Sequence, residues 1–316
     1  MRTRPIGSLD ASVIGLGCNN FGKRLDERGT REVLDAALAE GVTFLDTADL
    51  YGAPNGESER LMGRALNGRR DAFVLATKFG HPGNQGPPSN ARPENVRAAL
   101  EASLKRLGVD HVDLYQLHMP DDEVPVADTL GALHEAVAAG LVREIGCSNF
   151  SAAQLDEAHE AAGDGPRFVS VQNEYSMMRR APERDVLPAC DRLGVAFLPY
   201  FPLLSGILTG KYRKDRALPE GTRVTGSDRW ERLLTPETYD LIERLIDFAR
   251  GHDRELIDLA FAYLLAHAPV ASVIAGATTP EQIRRNARAG AWELNANELA
   301  EVRTILDEAG EVAPAS

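Results

Sequence analysis

Eight short apolar runs, each followed by a segment with helical spacing, constrain this chain more than any other feature. They are VIGLG from Val13, VTFLD from Val42, AFVLATK from Ala72, VDLYQLH from Val112, VREIGCS from Val142, FVSVQN from Phe168, VAFLPY from Val195 and VASVIAG from Val270. Between them, apolar residues recur at helical intervals: Val33, Leu34, Ala37 and Leu38 share one face, as do Val96, Leu100, Leu104 and Leu107, and Leu130, Leu133 and Val137. Ser151 is placed to cap one helix. Thr279-Pro280-Glu281-Gln282 reads as a capping box with proline at the first helical position. Alternation of this kind predicts a parallel sheet closed as a (β/α)8 barrel. With 316 residues, 43% of them hydrophobic, the chain is expected to form one such domain over residues 1–316.

Additions to the eightfold repeat are also legible. Residues 4–12 (RPIGSLDAS) have a turn-centred pattern that predicts a hairpin across the barrel floor. From Asn295, NANELAEVRTILDEA predicts a last helix outside the repeat, followed by a frayed EVAPAS tail. Residues 202–235, rich in Gly, Pro and charge, form the longest irregular connection, and connections of that length are usually functional or disordered.

An open doubly wound sheet is the competing architecture, through GLGCNNFG with Gly15, Gly17 and Asn20. The dinucleotide fingerprint needs a helix to open directly after its glycines, and here the charged KRLDERG follows instead. The formal net charge of −12 disfavours nucleic acid and an anionic membrane surface. The N-terminal MRTRPIGSLD lacks a following apolar segment, and no run approaches a membrane span. Cys18, Cys147 and Cys190 form no CxxC pair, and seven scattered histidines offer no metal-ligand spacing. The expectation is a cytoplasmic protein without a metal site, and no pattern in it sets an oligomeric state.

Barrels of this kind carry their chemistry at the C-terminal ends of the strands. Those ends hold Asn19, Asp46, Lys78, His118, Ser148 with Asn149, Gln172 with Asn173, Tyr200 and Gly276. Asp46, Tyr51, Lys78 and His118 form a coherent set. A phenol is a poor acid at neutral pH, an adjacent ammonium is expected to lower its pKa, and a carboxylate holds that ammonium. A neighbouring imidazole can donate to a carbonyl oxygen as charge develops there. On spacing alone Asp49 is an alternative to Asp46. Each residue also has a plain structural reading: a solvated Lys78–Asp46 ion pair, Tyr51 packed under a loop, His118 bonded to backbone.

In order along the chain, GLGCNNFG, FLDTADLYG, LATKFG, DLYQLH, IGCSNF, VQNEYS, LPYFPLLSGILTGKY and VIAGATTPEQIRRN resemble the aldo-keto reductase superfamily. The likeness is to its bacterial sugar and general aldehyde reductases and to the potassium-channel β-subunits. The resemblance implies a (β/α)8 barrel that binds extended NADPH or NADP+, with NADH left open, and acts on a small carbonyl or sugar substrate. It implies Asp46, Tyr51, Lys78 and His118 as the catalytic tetrad, with Tyr51 the proton donor. Ser148, Asn149 and Gln172 would hold the nicotinamide carboxamide, and Tyr200 would stack on the ring. The backbone of Phe201, Leu203 and Ser205 would approach the pyrophosphate, with positive charge from Lys211 and Arg223. Gly276, Thr278, Gln282 and Asn286 would meet the adenosine end, and Asn19 joins this shell.

Three positions depart from the commoner pattern. Phe201 stands where serine is frequent, Ala275 where proline is, and Arg285 where glutamate is; an arginine there is an added candidate for a 2′-phosphate. The expected activity is NADPH-dependent reduction of aldehydes or ketones. Alternatives are an aldose or pyridoxal dehydrogenase working in the oxidative direction, a cofactor-sensing binding protein, and a barrel of unrelated chemistry. Specificity is expected from residues 83–92, 119–125 and 202–234 and from the C-terminal segment, with Trp230 and Trp292 as candidate pocket walls or scaffold.

Overall fold

A computed structural model describes residues 1–85, 91–214, 216–225 and 227–310 of the chain. Strands β1 (Thr3–Ile6) and β2 (Leu9–Ser12) form the expected hairpin, with Ile6 opposite Leu9. Gly7 takes φ +58 at the first turn position, where a two-residue hairpin favours left-handed backbone. Eight parallel strands follow: β3 (Ile14–Gly17), β4 (Phe44–Asp46), β5 (Val74–Phe79), β6 (Val112–Leu117), β7 (Val142–Ser148), β8 (Phe168–Glu174), β9 (Ala196–Tyr200) and β10 (Val273–Gly276). They pair in the order β10-β3-β4-β5-β6-β7-β8-β9. Closure is made just before the last strand. The Phe197 N–H donates to the Pro269 carbonyl at 2.7 Å, and the Ala271 N–H donates to the Phe197 carbonyl at 3.0 Å. The architecture is the (β/α)8 barrel that the alternation predicts.

The two-residue period of the strands builds the interior in layers. At the N-terminal end, Ile6, Leu9 and Ala11 of the hairpin pack against Phe44, Ala76, Leu114, Leu198 and Ile274. Burying each large side chain of this plug contributes roughly 1.5–3 kcal/mol. Two residues further along the same five strands stand Asp46, Lys78, Gln116, Tyr200 and Gly276. One step of the pleat therefore carries the barrel from an apolar floor to a polar mouth.

The helical faces follow the spacing, with one correction. Val33, Leu34 and Ala37 are buried on helix Glu27–Ala39, but Leu38 is 37% exposed. At about 100° per residue it lies roughly 140° from Val33, at the margin of the buried face. Ser151 closes a reciprocal capping box with Gln154 on helix Ala152–Ala162. Thr279 caps Pro280–Ala289 through the Gln282 N–H, but the expected box does not close. The Gln282 Oε1 instead accepts from the N–H and hydroxyl of Thr278, one residue before the cap. Helix Ala296–Ala309 lies outside the repeat and packs on helix Pro236–Gly251. The EVAPAS tail lies outside the described residues.

The long connection over 202–235 is built into the core among its described residues. Leu204, Ile207, Leu208, Tyr212, Val224, Trp230 and Leu233 are buried, around a tight turn at Leu204–Thr209 and a short helix at Asp228–Glu231.

Candidate active site

Asp46 ends β4, and Lys78 stands on the neighbouring β5 with its side chain fully buried. The ammonium of Lys78 donates to Asp46 Oδ2 at 2.6 Å and to the Thr47 carbonyl at 3.0 Å, and it hydrogen-bonds the Tyr51 hydroxyl. All three of its protons are thereby used. The other carboxylate oxygen, Asp46 Oδ1, accepts from Gln172 Nε2 at 2.9 Å and from Gln116 Nε2 at 3.2 Å. A buried ion pair is tolerable only when its remaining lone pairs are met in this way. Burial alone would lower the Lys78 pKa, but Asp46 and Tyr51 together raise it, so the ammonium is held charged. Asp49 does not replace Asp46 here: it is buried nearby, and its N–H donates to the Lys78 carbonyl at 3.0 Å.

Tyr51 lies in the loop after β4. Its N–H donates to the Ala48 carbonyl at 3.0 Å, and its carbonyl accepts the Ser58 N–H at 3.1 Å from helix Glu57–Leu66. The loop thus returns the phenol over the barrel mouth, with the Lys78 Nζ 5.0 Å from its ring centre. The expectation of a lowered phenol pKa is not met. Burial raises it above the ordinary 10.0, the Lys78 ammonium opposes, and Asp46 adds to the rise. Tyr51 therefore keeps its proton at neutral pH.

His118 follows β6, and its N–H donates to the Phe79 carbonyl at 2.7 Å. Its ring meets Tyr51 edge-on at 6.0 Å. Burial, then Lys78 and His81, pull its pKa down to about 2, so the imidazole is neutral across the working range. Its buried Nδ1 has no hydrogen-bond partner among the described residues.

These groups open into a cavity of about 720 Å³ lined by Asp46, Tyr51 and His118 and by all fourteen residues expected to hold a cofactor. That size is ordinary for a small-molecule site. Near the phenol, the Ser148 hydroxyl donates to the Gln172 carbonyl at 2.6 Å. The Asn149 amide donates to the His118 carbonyl at 3.0 Å and accepts from the Tyr200 hydroxyl at 2.8 Å. Asn149 and Gln172 thus already brace the site before any ligand carboxamide is met. Phe201 packs edge-on against Tyr200 at 5.3 Å and against Trp230 at 5.5 Å, so the aromatic that replaces a serine forms a wall. Trp230 stands behind that wall, and Trp292 stacks on Phe248, outside the cavity lining.

The far end of the cavity is cationic, although the chain is acidic overall. Burial lowers the Lys211 pKa, and so do Arg285, Arg223 and Arg24. Arg223 donates to Asn20 Oδ1 at 2.6 Å, which holds the 202–235 connection against the loop after β3. Arg285, the added candidate for a 2′-phosphate, also lines the cavity, where its guanidinium pairs with Glu255 Oε2 at 2.6 Å and donates to the Thr209 carbonyl at 3.0 Å, so its charge is partly offset. Beside these cations, Phe201, Leu204 and Ser205 adopt φ of 52°, 45° and 56°. Such left-handed backbone costs about 1–3 kcal/mol per residue and concentrates at binding sites. At Gly276 a Cβ would come within 3.2 Å of Asn20 Nδ2, so glycine keeps the wall there close to that side chain. Clustered cations, a bared backbone and a braced aromatic fit an extended anionic nucleotide.

Several lining or bracing residues escape the sequence reading. Gln116 was recoverable, since it shares the inward parity of Leu114 and His118. Arg24, Asn20 and His81 sit in loops whose direction no periodicity reports. Of the expected specificity segments, Met119 and parts of 202–234 line the cavity, whereas no described residue of the C-terminal helix does. Residues 86–90 lie outside the described chain.

Comparison with known proteins agrees with the geometry. The family model described as "Aldo/keto reductase family" matches residues 13–307. The chain is 34% identical to Protein tas of Escherichia coli, over 95% of this chain and 96% of that protein. It is 32% identical to the aldo-keto reductase YhdN of Bacillus subtilis, over 95% and 91%. Among solved structures, the aldo-keto reductase AKR11C1 from Bacillus halodurans in its holo form superposes with a TM-score of 0.79 at 32% identity, covering 96% of each chain. Among the described residues no helix is long and apolar enough to cross a membrane. A barrel matched nearly end to end by this family model and these relatives belongs to the aldo/keto reductase family, whose members are NAD(P)H-dependent oxidoreductases acting on carbonyl compounds.

Proposed function

We propose that the chain, acting as one catalytic domain, reduces aldehydes or ketones with NADPH and that Tyr51 delivers the proton. One observation carries this reading: the Lys78 ammonium joins Asp46 to the Tyr51 hydroxyl beneath a cavity that also presents His118. When bound, NADPH supplies the hydride to the carbonyl carbon. Ser148, Asn149, Gln172 and Tyr200 would hold its nicotinamide end, Lys211 and Arg223 its phosphates, and Gly276, Thr278, Gln282 and Asn286 its adenosine end.

The residues of the chain handle the oxygen. Neutral His118 orients it by a hydrogen bond, and Tyr51 gives up its proton as charge develops there. The Lys78 ammonium stabilises the resulting phenolate, while Asp46 fixes the ammonium. Burial raises the phenol pKa above the ordinary 10.0, so at neutral pH Tyr51 holds the proton that reduction needs. The three free, buried cysteines suit a reducing cytoplasm.

The test is NADPH consumption with 4-nitrobenzaldehyde as substrate. Turnover that saturates with aldehyde supports the reading. Tight NADPH binding without turnover would point to a cofactor sensor, and no binding at all would point to unrelated chemistry.

A further inference from the structure

Helix Glu57–Leu66 buries an apolar face through Leu61, Met62, Ala65 and Leu66, but its first turn buries Ser58 and Glu59 instead. Both are fully buried, as are the two threonines they meet: Thr47, which follows Asp46, and Thr77, which precedes Lys78. The Thr77 hydroxyl donates to Glu59 Oε1 at 2.6 Å, and Arg106 Nε donates to Oε2 at 2.6 Å. The Ser58 hydroxyl donates to the Cys18 carbonyl at 2.9 Å. A carbonyl only accepts and a serine hydroxyl has one proton, so in the 2.9 Å contact between Ser58 and Thr47 the threonine donates.

Ser58 thereby holds both ends of the loop that runs from Asp46 to Tyr51. Its oxygen fixes Thr47, whose carbonyl accepts from the Lys78 ammonium at 3.0 Å. It also fixes Cys18, whose N–H donates to the Asp46 carbonyl at 2.9 Å. Its own N–H donates to the Tyr51 carbonyl at 3.1 Å. Apolar residues are the ordinary filling between a helix and a sheet, and a buried carboxylate such as Glu59 is weak support for stability. What this polar pair supplies is direction.

We propose that Ser58 is a positioning residue whose hydroxyl sets the reach of the Tyr51 phenol over the barrel mouth. The inference rests on the reading that Tyr51 delivers the proton. Ser58 is not among the residues that line the cavity, so it acts through the loop it holds.

The test uses Ser58→Ala, which keeps the N–H bond to Tyr51 and removes only the hydroxyl. Thr47→Val deletes the other half of the same bond at nearly equal shape. Each is made in the parent and in Tyr51→Phe, and single-turnover reduction of 4-nitrobenzaldehyde by NADPH under excess enzyme reads the chemical step. In the parent background the step should slow about tenfold, since displacing a reacting group by about 1 Å can cost roughly a hundredfold. In the Tyr51→Phe background the same substitution should change the residual rate by less than about twofold, because no phenol proton is left to aim. A merely structural serine would slow both backgrounds by the same factor. That result, or no slowing in the parent background, overturns the role of Ser58. Should Ser58→Ala fail to fold, Thr47→Val decides the matter by the same comparison. The reductase reading is scored separately on the unsubstituted protein, so it stands if only the Ser58 effect is missing. A parent that does not reduce the aldehyde, or a Tyr51→Phe variant as fast as the parent, overturns the Tyr51 assignment and the role of Ser58 with it.

Discussion

Gln116 on β6 and Asp46 on β4 meet inside the barrel, the glutamine Nε2 donating to Asp46 Oδ1 at 3.2 Å. Gln172 donates to the same oxygen from β8, so one carboxylate oxygen is held from two directions while Lys78 holds the other. Gln116→Leu preserves volume and removes one of these donors. Leaving a buried acceptor less well met costs about 1–3 kcal/mol, so the variant should melt at a lower temperature and lose part of its kcat. Thermal denaturation alongside steady-state assays checks both. Unchanged stability and turnover would mean that Gln172 alone suffices for Asp46.

This pair also shows what the sequence discloses. The strands were legible because Phe44, Ala76, Leu114, Leu198 and Ile274 repeat an apolar choice on five strands, and the polar residues two places on mark the mouth. Parity extends to Gln116, whose direction follows from its place in the run. It does not extend to Arg24, Asn20 or His81, which are set by loops where no period fixes direction. The sign of the Tyr51 shift was equally hidden, because it depends on burial outweighing Lys78. The pairing of Arg285 with Glu255 joins residues thirty positions apart, one in the middle of a helix and the other at the cap of another, and no local pattern reports it.

Lys78→Met should separate folding from catalysis. The methionine fills the space of the lysine stem but leaves Asp46 buried without its cation. Breaking one partner of a buried pair typically costs about 3–5 kcal/mol, a loss that a core of this size survives. Without the ammonium, nothing stabilises the Tyr51 phenolate, and kcat should fall at least a hundredfold. Circular dichroism should show an intact barrel; native-like turnover of 4-nitrobenzaldehyde would remove Lys78 from the mechanism.

Cofactor preference should depend on Lys211 and Arg223 more than on Arg285. A charge-assisted bond contributes about 1.5–3 kcal/mol, so Lys211→Ala or Arg223→Ala should weaken NADPH binding tenfold or more. Arg285→Ala should cost less, because Glu255 already offsets that charge. Glu255→Gln releases Arg285 and should tighten NADPH relative to NADH. Fluorescence titration of the four variants with both cofactors measures this, and a larger loss from Arg285→Ala than from Arg223→Ala would reverse the assignment.

Acid sensitivity should trace in part to His118. Its pKa falls from 6.5 to about 2 on folding, chiefly through burial. The unfolded chain therefore takes up a proton that the folded barrel refuses. The stabilising contribution is complete above 6.5 and is lost progressively as pH falls from there towards 2. The slope approaches about 1.4 kcal/mol per pH unit once the unfolded imidazole is protonated. His118→Phe removes this linkage, so its stability should decline less steeply below pH 6.5 than that of the parent. Parallel acid dependences in urea melts would show that His118 is protonated in the folded state.

Tyr51→Phe isolates the proton. The ring stays, with its edge-on contact to His118 and its place over Lys78, and only the hydroxyl goes. The ammonium loses one of three acceptors but keeps Asp46 and the Thr47 carbonyl, so the barrel and its cofactor end should change little. NADPH affinity is expected within about threefold of the parent, less than one hydrogen bond is worth. Loss of general acid catalysis costs about a hundredfold to ten-thousandfold, and the chemical step should slow accordingly. Single-turnover reduction under excess enzyme reads that step directly and prevents slow release of oxidised cofactor from masking it. The parent rate should stay level with rising pH until Tyr51 ionises, above 10.0, because the buried phenol holds its proton to that point. The variant should show no such fall. A Tyr51→Phe variant that reduces the carbonyl at the parent single-turnover rate would place the proton donor elsewhere.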